Sequence, residues 1–416
     1  MVRPGRLKIF LGDELVGTLD DMAPSAFQYA PGWLARRRPF ALGAIPLLPE
    51  RQQGDAVQAF FENLLPEGEL RDYVASRHKA STLFSLLLET AGDTAGAFVI
   101  VPDGQHPEEA EYEPTSWEAL AVRLGKASAV AIDLNGAGAR ISLAGAQDKA
   151  SIALFDGIPY LPRGTAASTH ILKPDIRRLA KVWHSAVNET LVMGIAAQCG
   201  LPTAEVFYEP LTQSCVVRRF DRIPGTARSL ERLIQYDFCQ LAGTLSEKKY
   251  EKEGGPGVVA CADLIRKHSS QPALDLRHFI SWLFFNLYVG NNDSHAKNLS
   301  VYHVPGRGTT LTPFYDLMCT RLYAGLSPEF AFAIGGETHP GAVDRHHVVA
   351  MARSLGMQPA FILRQAADLA RKMPAAVERT MTSIMPVLPP GAQPLAEKLA
   401  RFILSTTKKT AKRLAE

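Results

Sequence analysis

The sequence predicts an α+β protein of two lobes behind a small N-terminal subdomain, and three observations carry that reading. Strand-like runs broken by glycines fill residues 129–219, helical patterns follow Asp221, and a polar, proline-containing run from Pro102 to Pro114 sets off the first hundred residues. A chain of 416 residues exceeds one hydrophobic core. The expected divisions are 1–105, an N-terminal subdomain; 106–222, a β-rich lobe; and 223–416, a helical lobe.

In the first division, Leu7–Leu11 and Leu15–Leu19 bracket Gly12-Asp13-Glu14, the pattern of a β-hairpin. The stretches Phe60–Glu67 and Ser81–Leu88 read as short helices, the second ended by Gly92. In the second division, Val130–Ile132, Ile141–Leu143 and Ser151–Phe155 read as strands separated by glycine turns, and His170–Lys173 reads as a strand stopped by Pro174. Ser185–Cys199 carries apolar residues at helical spacing and is followed by Gly200 and Pro202, which are stop signals. Strands over Ala204–Tyr208 and Ser214–Arg219 complete a small sheet. The third division is expected to be mainly helical, and Leu274–Tyr288 is apolar nearly all round, as a helix inside a domain must be.

Composition narrows the function classes. With 46% hydrophobic and 21% charged residues and a formal net charge of +3, the chain has no global electrostatic pull toward nucleic acid or membrane. The longest apolar stretch, Phe279–Gly290, falls well short of the roughly 20 residues needed to span a bilayer. Charges alternate with apolar residues at the N-terminus, unlike a secretory signal, so a cytoplasmic location is expected. Five cysteines without a C-x-x-C pair are expected to be reduced, mostly buried thiols.

The chemistry concentrates in Asn291-Asn292-Asp293-Ser294-His295-Ala296-Lys297-Asn298, a polar loop straight after the apolar helix. An Asp five residues before an Asn is the spacing of a kinase catalytic loop: the Asp orients the attacking hydroxyl and the Asn turns back to hold Mg²⁺. Asp316 follows 18 residues after Asn298. The runs Leu299–His303 and Thr309–Thr312 flank Pro305-Gly306-Arg307-Gly308, a hairpin that would carry Asp316 back beside Asn298. The alternative is a plain Asn-Asp turn. His295 lacks a neighbouring His or Cys at zinc spacing, which favours an anchoring or nucleotide-contacting role.

The turn Arg140–Lys149 either lets backbone N–H groups approach phosphates past its small residues or is a plain β-hairpin turn, and it matches neither standard nucleotide motif. Lys173 either reaches phosphates from its strand or points to water at an edge. Glu189 either partners Lys173 or decorates a helix surface. Lys408, Lys409, Lys412 and Arg413 either touch DNA or form the solvated face of a terminal helix whose apolar side holds Leu399, Phe402, Ile403 and Leu414.

Taken in order, Ser142–Lys149, Ile171-Leu172-Lys173, Asn188-Glu189, Arg218–Arg222, Asp237–Gln240, Asn292–Asn298 and Tyr315-Asp316 resemble the HipA family of toxin serine/threonine kinases. Phe60–Pro66 and Gly92–Ala97 extend the likeness over nearly the whole chain. The resemblance implies a bilobal kinase-like fold related to the phosphatidylinositol kinases, with ATP and Mg²⁺ as cofactors. It assigns Asp293 as base, Asn298 and Asp316 as metal ligands, and Lys173 as the phosphate-contacting lysine. It places Ala144, Gly145, Ala146, Gln147, Asp148 and Lys149 over the phosphates, Arg218, Arg219 and Phe220 at the adenine-contacting hinge, and His295, Lys297 and Tyr315 around the nucleotide. Ser142 matches an autophosphorylated serine, while Arg140 stands where some relatives have a second one. The implied partners are a small helix-turn-helix antitoxin (HipB-like), operator DNA through that complex, and an aminoacyl-tRNA synthetase as substrate. The competing readings are a small-molecule or lipid kinase and a DNA-bound co-repressor module.

Overall fold

A computed structural model describes residues 5–65, 67, 71–72, 75–76, 79–90, 93–126, 149–177, 179–226 and 228–416. The chain forms two compact units that interleave along the sequence: Met1–Lys173 with Arg219–Lys248, and Pro174–Arg218 with Lys249–Glu416.

The first unit opens with the expected hairpin. Arg6–Leu11 pairs antiparallel with Glu14–Asp20, and Phe98–Pro102 and Ala26–Tyr29 extend this sheet on its two sides. Inward residues such as Leu7, Ile9, Val16 and Leu19 are fully buried, which is the alternation a half-covered sheet requires. The helix expected over Phe60–Glu67 is corrected: it spans Asp55–Glu62. Asn63 caps it: its N–H makes the last helical bond to the Ala59 carbonyl at 3.1 Å, and its side-chain amide donates to the same carbonyl at 2.8 Å and to the Thr244 carbonyl at 2.9 Å.

The run 102–114 is not a free linker. Glu111–Pro114 pairs with Ile158–Arg163, a strand that Pro159 and Pro162 hide from sequence patterning. Ile158–Arg163 pairs in turn with Ala150–Phe155, which pairs with His170–Pro174. The strands expected over 130–132 and 141–143 lie outside the described residues.

The chain after Asp221 is mainly helical as expected, but it opens on strands. Arg222–Pro224 and Leu230–Arg232 form an antiparallel hairpin, and the first helix begins only at Phe238, under a capping box made by Asp237 and Gln240. Buried charge fixes this hairpin. Asp93 accepts from Arg219 at 3.1 Å and from Arg222 and Arg232 at 2.9 Å, while Asp221 accepts from Arg219 at 2.8 Å and Arg222 at 2.9 Å.

In the second unit, Ser185–Gln198 is helical and ends where Gly200 takes a left-handed backbone, φ 83°. Val206–Glu209 and Ser214–Arg218 form the expected strand pair. Helices Val258–His268, Pro272–Val289, Arg345–Ser354, Pro359–Ile384 and Gln393–Ala415 carry most of the remainder. Pro272–Val289 is the central one: every residue from Trp282 to Val289 is buried. The Tyr288 hydroxyl donates to the Ala366 carbonyl at 2.9 Å, so the polar tip of a buried ring finds a partner. Among the described residues no helix is long and apolar enough to cross a membrane. All five cysteines are free and buried, and burial pushes the Cys199 and Cys319 thiols up to about 12.

Candidate active site

The catalytic-loop candidate is launched by the end of the central helix. Gly290 sits in the left-handed region at φ 74°, and the Asn291 N–H returns to the Asn286 carbonyl at 2.9 Å. The Asn291 side chain then works in both directions: its amide donates to Asn286 Oδ1 at 2.8 Å, and its Oδ1 accepts the Asp293 N–H at 3.2 Å. Asn292 is tied by its N–H to Thr320 Oγ1 at 2.8 Å and by its amide to the Ser327 carbonyl at 3.0 Å. A 3₁₀ turn, Ala296–Asn298, closes the loop.

This bonding buries a very polar stretch. Of residues 291–300, all are buried except Asp293, whose side chain is 55% exposed. The loop therefore withdraws its amides, hydroxyl, lysine and histidine from water and leaves one carboxylate accessible. Burying a polar group costs free energy unless it is paired, so this bonding fixes the path of the loop backbone and with it the position from which Asp293 emerges. On its surface, Asp293 Oδ1 accepts from the Tyr250 hydroxyl and lies 4.0 Å from His295 Nε2.

The expected hairpin is present: Ser300–Val304 and Gly308–Leu311 pair with Val301 opposite Leu311 and Val304 opposite Gly308. Its register is anchored by the buried Asp275 carboxylate, which accepts from Thr310 Oγ1 at 3.0 Å, the Leu311 N–H at 2.9 Å and Ser269 Oγ at 2.6 Å. The strand return carries Tyr315 to the loop. Its hydroxyl donates to the Lys297 carbonyl at 3.1 Å and meets Ser300 Oγ at 2.7 Å, so the residues before Asn298 and before Asp316 are bonded to each other.

Asp316 adopts a left-handed backbone, φ 59°, unusual for a residue other than glycine and typical of places where function fixes geometry. Asn298 donates its amide nitrogen to the Asp293 carbonyl at 3.2 Å, leaving its amide oxygen outside that bond. An amide oxygen and a carboxylate are hard oxygen donors, a set that suits Mg²⁺ and leaves the other positions to phosphate and water. Among the described residues no group of three or more His, Cys, Asp or Glu side chains could hold a metal.

Lys173 is 7% exposed and lies on the strand His170–Pro174, which removes the reading of an edge lysine pointing to water. Glu189 is 1% exposed, which removes the reading of a helix-surface carboxylate. Lys149 is half-buried just before the strand Ala150–Phe155, and Phe220 is half-buried. Arg218 is 49% exposed and pairs with Glu205 at 2.8 Å, whereas the Arg219 guanidinium is spent inside the buried cluster with Asp93 and Asp221. Ser142, Ala144, Gly145, Ala146, Gln147 and Asp148 lie outside the described residues. Tyr250 is the site residue that sequence reasoning missed, since nothing in the spacing joins it to a loop 43 positions later.

A buried polar loop with one exposed Asp, an Asn five residues on and a hairpin returning to an Asp are the parts of a kinase, and comparisons with known proteins agree. The HipA N-terminal domain model matches residues 7–101 and the HipA-like C-terminal domain model matches 141–379. Y4mE of Sinorhizobium fredii, a kinase by designation, is 35% identical over 390 residues, covering 90% of this chain and 91% of that protein. The serine/threonine-protein kinase toxin HipA of Shewanella oneidensis is 29% identical over 403 residues, covering 92% and 90%. The solved structure of a HipA, HipB and operator DNA complex from the same organism matches with a TM-score of 0.81 at 27% identity, covering 98% of this chain and 97% of that one. The chain belongs to the HipA family of serine/threonine-protein kinase toxins.

Proposed function

We propose that the chain is the toxin of a toxin-antitoxin pair, using ATP and Mg²⁺ to phosphorylate an aminoacyl-tRNA synthetase and so halt translation, and silencing itself by phosphorylating Ser142. The observation that carries the catalytic part is the loop 291–300, which buries every residue but Asp293. In this reading Asp293 accepts the hydrogen bond of the incoming serine or threonine hydroxyl and takes its proton as the oxygen bonds to phosphorus. Asn298 and Asp316 would hold Mg²⁺, and Lys173 would contact the phosphates. ATP would supply the phosphoryl group, its γ-phosphorus–oxygen bond breaking to release ADP as the new bond forms, and an ion held by Asn298 and Asp316 would supply positive charge beside the phosphates. Lys149, the 144–148 turn, Arg218, Phe220, His295, Lys297 and Tyr315 line the nucleotide in the same reading, with Arg219 contributing backbone only because its side chain is engaged elsewhere.

A HipB-like antitoxin and operator DNA are the proposed partners, supported by the likeness to the HipA chain solved together with HipB and its operator DNA, and the proposed location is the cytoplasm. The test is phosphosite mapping after incubating wild-type and Asp293→Gln protein with ATP and Mg²⁺. Phosphate on Ser142 in the wild type alone is expected, with transfer in Asp293→Gln down roughly 10²- to 10⁴-fold. Phosphorylated protein should bind ATP more weakly than Ser142→Ala, since the modification adds about −1.5 to −2 charges. Full activity of Asp293→Gln sinks the assignment of the base, and no phosphate in either protein despite ATP binding moves the reading to a small-molecule kinase or a binding module.

A further inference from the structure

The Asp293 carboxylate is exposed, and an exposed carboxylate on a short side chain rotates unless something holds it. The loop fixes the Asp293 backbone, through Asn291 Oδ1 on its N–H and through the His295 and Asn298 donors on its carbonyl. None of those bonds reaches the carboxylate. The Tyr250 hydroxyl does, donating to Oδ1. We propose that Tyr250 is the positioning residue of the catalytic base, holding one oxygen of Asp293 so that the other faces the acceptor hydroxyl; this rests on the reading of Asp293 as the base.

The phenol is built into place. Its ring stands edge-on to the His295 imidazole, centroids 5.1 Å apart at 88°, with the Lys249 ammonium 5.6 Å from the ring centre. The backbone around it closes on itself, since the Glu253 and Gly255 N–H groups both donate to the Tyr250 carbonyl at 3.0 Å and Gly254 turns the chain at φ 89°. That small loop is clipped to the segment 329–333 at two points. Glu251 Oε2 accepts the Ala333 N–H at 2.7 Å, and Lys252 pairs with Glu329 at 2.8 Å. Gly257 allows the clip, because a Cβ there would stand 2.3 Å from Glu251 Oε1. His295 thus acquires a role that is not metal ligation: it is the wall against which the positioning tyrosine leans.

A hydroxyl donor on one oxygen costs the carboxylate none of its capacity on the other, because an ionised Asp accepts through two oxygens. Positioning of this kind acts on turnover and not on nucleotide affinity. The test is steady-state transfer to a pool of serine- and threonine-containing peptides, and self-phosphorylation, by full-length wild type, Tyr250→Phe, Glu251→Ala, Glu251→Gln and Asp293→Gln. Tyr250→Phe keeps the ring and its packing, so its melting temperature should match the wild type; its kcat should fall about tenfold with KM for ATP unchanged. Glu251→Ala should reproduce much of that loss and Glu251→Gln, which keeps an acceptor for Ala333, should restore it. Wild-type kcat in Tyr250→Phe, a rise in transfer, or a loss confined to KM for ATP overturns the inference. Wild-type transfer by Asp293→Gln instead overturns the base itself, and the two failures are told apart within one assay.

Discussion

Asp275 shows how much a single residue can decide far from the chemistry. It is buried at the start of the central helix, and its carboxylate takes the hydroxyls of Ser269 and Thr310 and the N–H of Leu311. Those bonds set the register of the hairpin that returns Tyr315 to the catalytic loop. Charge-assisted bonds are about twice as strong as neutral ones, and truncation strands the donors without an acceptor. Asp275→Ala should therefore cost about 3 kcal/mol of stability by urea unfolding and lower turnover without touching any reacting group. Asp275→Asn, which keeps an acceptor of the same shape, should recover part of both. A Tyr315→Phe variant tests the same route from the other end, since it cuts the bond to the Lys297 carbonyl and leaves the hairpin intact.

At the scale of elements, the terminal helix Gln393–Ala415 separates two uses of positive charge. Lys408, Lys409 and Lys412 are exposed opposite the buried Leu399, Ile403 and Leu414, as its periodicity indicates. Arg413 differs: its guanidinium donates to the Val343 carbonyl at 3.1 Å, the Pro340 carbonyl at 2.9 Å and Thr410 Oγ1 at 3.1 Å. Arg413→Ala should cost about 1–3 kcal/mol, whereas Lys408→Ala or Lys409→Ala should stay within about 0.5 kcal/mol in the same urea titrations. Sequence alone could not separate these four side chains, because helical spacing says which face a residue is on and not which carbonyls wait there. The same limit governs the rest of the fold. The hairpin after Asn298 was legible because Pro305-Gly306-Arg307-Gly308 is local turn chemistry, and the helix Ser185–Gln198 because its apolar spacing and stop signals are local too. Ile158–Arg163 was not legible, since two prolines mask a strand that pairs with the distant segment Glu111–Pro114. The proposed Asp293, Asn298, Asp316 set rests on spacing along the chain, whereas the contact of Tyr250 with Asp293 is made by tertiary structure alone and leaves no trace in spacing.

Across the whole molecule, the two compact units each gather residues from distant parts of the chain, and in the first the gathering is done by charge. Asp93 and Thr94 close the segment matched by the N-terminal family model, and Arg219, Arg222 and Arg232 reach them from more than 120 residues on. Desolvation works against ionising the two carboxylates, yet Arg219 and Arg222 outweigh it, so Asp93 is held well below the usual carboxylate range and Asp221 falls to about 2. Both groups carry a folded pKa below the unfolded value of about 3.9, so their contribution to stability is full above about pH 4. It is lost as pH falls toward and through about 2, when the folded state must take up protons that leave three guanidinium groups facing one another. Truncating one member at neutral pH does the same damage at once: Asp93→Ala should cost about 3–5 kcal/mol. Urea unfolding of wild type should lose stability steeply between about pH 4 and 2.5, and Asp93→Asn, already weakened, should lose less over that interval because it has one fewer proton to bind. Equal pH slopes for the two proteins would show that the cluster is not what ties the N-terminal segment to the 219–232 hairpin.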